Sequence, residues 1–178
     1  MTVSLLLWMA LALIIFWCVG VYNRLMRIRA RGRDALGSVD KHLRLHQAMV
    51  QMHLSSEGGV ADGAIPDGWR ALTVALDVLD LAAKAAKLEP LSKPAMFALQ
   101  TAYLSVQSVW AALLAEPDDL AGSQIPGTLQ ADWEEASAKV QIARGGLNQI
   151  VDIYNEALHQ FPASLVAKSM GFQEAGIF

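Results

Sequence analysis

The run TVSLLLWMALALIIFWCVGVYN, Thr2 to Asn23, contains no charged side chain. An apolar helix of about twenty residues, rising ~1.5 Å per residue, crosses the ~30 Å hydrocarbon core of a bilayer. This run constrains the chain more than any other feature, because whatever follows must be built next to a membrane. Tyr22 lies where an interfacial ring belongs. A cleaved signal peptide fits poorly: no basic segment precedes the run, and the run is too long. The expectation is an uncleaved anchor over residues 1–23.

The stretch NRLMRIRARGR, Asn23 to Arg33, holds Arg24, Arg27, Arg29, Arg31 and Arg33 without an acid among them. By the positive-inside rule the N-terminus is expected outside and the rest in the cytoplasm. The collar, with Tyr22, marks the membrane interface and can hold anionic headgroups of the lipid bilayer. The chain has 14 basic and 17 acidic residues, so beyond the collar 9 bases face 17 acids. That balance excludes a nucleic-acid partner as a first reading. Cys18, the single cysteine, leaves no intrachain disulfide.

Past Asn23 the apolar positions step by three and four. Leu25, Ile28, Leu36, Val39, Leu43, His46, Val50 and His53 make one stripe, with Gly32 in the missing position. The span and this helix, about 24–54, can form one rod of about 50 residues, ~75 Å long. After the loop SSEGGVADGAIPDG comes a helix over 69–88 with seam Trp69, Leu72, Leu76, Leu79, Ala83 and Ala86. A third helix, 94–115, follows Ser92 as cap and Pro94 in its first turn; its seam is Met96, Leu99, Tyr103, Val106, Trp110 and Leu113. After PDDLAGSQIPG, Thr128 is expected to cap a helix over 129–160. Its stripe runs from Leu129 and Trp133 through Ala143, Leu147, Ile150 and Tyr154 to Leu158 and Phe161. No strand alternation occurs, so the fold class is all-α. It reads as an antiparallel up-down-up-down four-helix bundle over 24–161, continuing from the transmembrane helix, with a short helical tail over 162–178.

Gly145 and Gly146 interrupt the fourth helix, which requires either a close neighbouring backbone or a bend. Counting directions brings the end of that helix back to the bilayer. Phe161-Pro162 stops it, ASLVAKSM forms a short helix, and Gly171 closes that helix with Phe172 folding back on it. The apolar tail either covers the root of the bundle or rests in the headgroup layer.

Chemistry is sparse. Glu156 and His159 lie one turn apart, the spacing of di-metal bundles, but no second such pair exists. His42 and His46 could share a metal on one helical face. The acid pairs Asp77/Asp80 and Asp152/Glu156 read as solvated faces, and no phosphate loop or nucleophile elbow is present. No catalytic residue and no cofactor is assigned.

YNRLMRIRARGRDALGSVD, Tyr22 to Asp40, and IVDIYNEALHQFPASLVAKSMGF, Ile150 to Phe172, together resemble the LemA family. The positions that carry the likeness are Tyr22, Asn23, Tyr154, Asn155, Phe161, Pro162, Gly171 and Phe172. The Ala143-Arg144 pair also fits. Leu36 departs from the family's tryptophan. The resemblance implies a bacterial, membrane-anchored helical bundle with its domain in the cytoplasm; one magnetosome relative is tied to membrane organelle formation, and the family's function is poorly defined. Three roles follow. The first is a scaffold that self-assembles as a homo-oligomer or binds an unidentified protein partner. The second is a metal sensor or enzyme using Glu156/His159. The third is a regulatory adaptor for a membrane enzyme.

Overall fold

The computed structural model describes residues 2–56, 65–115 and 125–178, and side chains from Ser4 onward in the first segment. The two long loop readings, SSEGGVADGAIPDG and PDDLAGSQIPG, fall largely outside the described residues. Five helices follow in order: α1 (Thr2–Ser56), α2 (Asp67–Leu88), α3 (Lys93–Leu114), α4 (Gly127–His159) and α5 (Ala163–Ser169). There is no strand among the described residues.

Helix α1 is one unbroken element of 55 residues. No proline interrupts it, and its stripe continues from the uncharged run into the bundle without a change of phase. Residues Leu5 to Val19 are exposed except for Cys18, which is partly covered. This part is long and apolar enough to cross a membrane. From Leu25 onward every predicted stripe position is buried, His46 and His53 included.

Helix α1 packs along α4, and α2 packs along α3; α1 and α2 adjoin less extensively. Every predicted seam residue of α2 and α3 is buried. At the end far from the span the pairs are closed by aromatic rings. Trp110 of α3 stacks on Trp133 of α4 at 4.1 Å, and His46 of α1 meets the edge of Trp133 at 4.4 Å. Asp40 of α1 accepts from Lys87 of α2 at 2.6 Å and from Arg44 at 3.0 Å, joining α1 to α2. Helix α3 also passes a length-and-composition test for a span. Its inner face is accounted for by the bundle seam.

Three local expectations need correction, and one of two open alternatives for the fourth helix is removed. Helix α4 begins at Gly127 behind Pro126, whose carbonyl accepts from Gln130; Thr128 is inside the helix and caps nothing. Ser92 does stand at the start of α3, but its hydroxyl makes no capping bond. Phe161 leaves the stripe because α4 ends at His159, and it is 82% exposed. At Gly145 and Gly146 an added Cβ meets no atom within 4 Å, so no neighbouring backbone approaches there.

Candidate functional site

The two sequence stretches that carry the resemblance meet at the root of the bundle. Tyr22 of α1 packs edge-on to Phe172, ring centroids 5.9 Å apart. Phe172 gets there because Gly171 takes a left-handed φ of 71°, open to glycine at no cost in Cβ contacts. The Phe172 amide then donates to the Ala167 carbonyl and the Gly171 amide to that of Lys168, the two bonds of a Schellman cap. Phe161-Pro162, joined by a cis peptide, sits at the turn between α4 and α5. Pro162 thus flanks α5 as expected.

Beyond this cap the chain does what its sequence did not announce. Residues 173–178 turn away from the root and run up between α3 and α4. Helix α4 holds them by their backbone. Asn155 donates to the Ala175 carbonyl at 3.0 Å and accepts from the Ala175 amide at 2.8 Å. Asn148 treats Phe178 in the same way, donating at 2.8 Å and accepting at 2.9 Å. Arg144 donates to the Phe178 carbonyl as well, and Tyr154 to that of Gln173 at 3.2 Å. The register is set by two pitches. Seven helical residues from Asn148 to Asn155 rise ~10 Å. Three extended residues from Ala175 to Phe178 also cover ~10 Å.

The α3 side fits the same segment. The Gly176 amide donates to the Leu91 carbonyl at 3.0 Å. A Cβ on Gly176 would lie 2.8 Å from the Lys93 Cα, so only glycine passes. Phe178 is fully buried, its ring 5.8 Å from Tyr103 and 5.3 Å from the Arg144 guanidinium carbon. Leu91 itself has a φ of 68°, an uncommon conformation for a branched residue. It drops its side chain against Gly32, where a Cβ would come within 2.8 Å of Leu91 Cδ1. That explains the glycine in the α1 stripe.

Between α1, the α2–α3 turn, Tyr154 and the tail lies a cleft of about 770 Å³. Arg29 and Arg33, one turn apart on α1, form one wall; Glu89, Lys93 and Glu174 contribute further charge. Glu174 is taken up by Lys93 and by His159 Nε2 at 2.6 Å, and these partners hold its carboxyl below the usual range. Arg29 and Arg33 have no ion pair with the described residues. Burial pushes the Tyr154 hydroxyl up, and the Arg29 charge partly offsets that. The remaining collar arginines, Arg24, Arg27 and Arg31, are exposed. The cleft can accept a polar or anionic group.

The residues named for the metal alternatives make other contacts. His159 faces Glu174, while Glu156 accepts from Gln160. His46 is buried against Trp133 and bonded to Ser137, and His42 is not part of that contact. Among the described residues no three metal-ligating side chains converge.

Sequence reasoning placed Tyr154, Asn155, Gly171 and Phe172 at the root. It missed Arg144 and Asn148 as tail holders; their signal was polar residues eleven and seven steps before Asn155, flanking an apolar stripe. A sequence profile of the LemA family matches residues 82–178, from mid-α2 through the tail. No curated protein and no solved structure matches the chain. The matched region holds α3, α4, α5 and the segment seated between them, which is more than half of the sequence: the chain belongs to the LemA family.

Proposed function

We propose that this protein is a non-catalytic, single-span scaffold of the inner membrane, with its N-terminus outside and its helical bundle in the cytoplasm. The carrying observation is the unbroken α1, which makes the membrane segment and a wall of the bundle one rigid element. Such a rod fixes the bundle's height and tilt on the bilayer. Scaffolds need this; soluble enzymes do not. The five collar arginines support the orientation. They also support binding of anionic headgroups, with Arg29 and Arg33 in the cleft about 9–15 Å beyond Asn23. Partners in this reading are the bilayer, further copies of the chain, and a protein that recognises the root. In the same reading, the family tie to membrane organisation comes from holding partners at one distance from the lipid.

Topology tests the proposal. A protease admitted only to the periplasm of intact, outer-membrane-permeabilised cells should leave the bundle whole, and the same protease should degrade it in inverted vesicles. Digestion of the bundle from the periplasmic side would overturn the orientation and the scaffold role built on it.

A further inference from the structure

Helix α2 carries two apolar seams. The inner one is buried in the bundle. The outer one is Ala71, Val74, Val78, Leu81, Ala85 and Leu88, spaced by three and four along the opposite face. All six are exposed, Val74 at 58%, Val78 at 50%, Leu81 at 65% and Leu88 at 84%. A heptad seam spent on water is a cost that a cytoplasmic monomer avoids. Helix α3, beside it, exposes Phe97 and Leu104 and has no charged side chain from Pro94 to Leu114.

We infer that this outer seam pairs with α2 of a second copy of the chain in the same membrane, in parallel. The orientation rests on the anchored reading above. Two copies with spans in one bilayer point the same way, so a two-fold axis along the membrane normal sets α2 beside α2 in parallel. With Ala71, Val78 and Ala85 at one core position, Val74, Leu81 and Leu88 take the other. A β-branched residue at the first and leucines at the second suit two parallel strands. Charge agrees. In a parallel pair, Lys84 flanks the seam opposite Glu89 of the second copy, and the symmetry repeats that pair on the other side. Lys84 now pairs with Asp80 at 2.5 Å, and Arg44, 3.7 Å from the other Asp80 oxygen, keeps that carboxylate partnered when Lys84 turns to the second copy. The seam spans about two and a half heptads, ~26 Å, and is short for a stable dimer in solution. Tethering to one bilayer supplies the effective concentration it needs.

The test uses full-length protein in native membranes with Cys18 replaced by serine. Val74→Cys and Leu81→Cys should each give a covalent homodimer on mild oxidation. Ile142→Cys, more exposed at 77% and on α4, should not. Leu81→Glu should lower dimer yield roughly tenfold or more at unchanged helicity, since it puts an unpaired charge in the seam. Lys84→Glu should weaken the dimer, and adding Glu89→Lys should restore it. Absent crosslinks, equal yield from Ile142→Cys, capture of a different protein by Leu81→Cys, or failure of the charge swap would overturn the inference. The protease test is independent of these. Homodimer crosslinks with an inverted topology would sink the anchor orientation and keep the seam; the reverse result would sink the seam alone.

Discussion

His46 shows how one residue can be both a seam member and a liability. It is 1% exposed, with Nε2 3.1 Å from the Ser137 hydroxyl and its ring on Trp133. Burial disfavours the imidazolium and lowers its pKa to about 4. The folded chain therefore binds its proton later than the unfolded chain. Stability is full above the ordinary value of 6.5 and falls as pH drops towards 4. Between pH 7 and pH 5 the loss should be about 2 kcal/mol. Denaturation midpoints of wild type and His46→Gln, compared at those two pH values, check this: the variant should lose most of that slope, and an unchanged slope would contradict it. Asp40 acts in the same direction at lower pH. Burial pushes its carboxyl up, but Lys87 and Arg44 outweigh that and leave it lowered, so its contribution disappears only in stronger acid.

At the scale of elements, the four long helices were legible because each buries one stripe, and three- and four-residue steps are how a stripe is written. Leu25 to His53 could be read directly, Gly32 included. The docking of the tail could not. Asn148 and Asn155 grip backbone amides and carbonyls, so the captured segment needs no periodicity and shows little beyond Gly176 and Phe178. The caps misled for a related reason: Pro126 starts α4 through its fixed φ, without a side-chain bond, and Thr128 drew the eye instead. The tail's docking makes its own prediction. Asn148→Ala leaves the Phe178 amide without its acceptor and should cost about 1–3 kcal/mol. Gly176→Ala should expel the segment outright. Hydrogen exchange at Ala175, Gly176 and Phe178 reports both. Protection should fall sharply while α2 keeps its own, and retained protection in Gly176→Ala would contradict the fit described between Lys93 and the tail.

For the whole molecule, the apolar N-terminal segment, the bundle and the tail form one mechanical unit. Helix α1 carries the span into the core, α4 lies back along α1, and the tail fastens α4 to α3 beside the α2–α3 turn. Family membership covers the second half of that unit, from mid-α2 onward. The central claim is that no joint separates span from bundle. Spin labels on cysteines at Val19 and Lys41, in a Cys18→Ser background reconstituted into lipid bilayers, measure it directly. Twenty-two helical residues set the two sites ~33 Å apart along one axis. A single narrow distance distribution near that value is expected. A broad distribution, or a peak shorter by a helical turn or more, would mean a hinge at the arginine collar and would contradict the account.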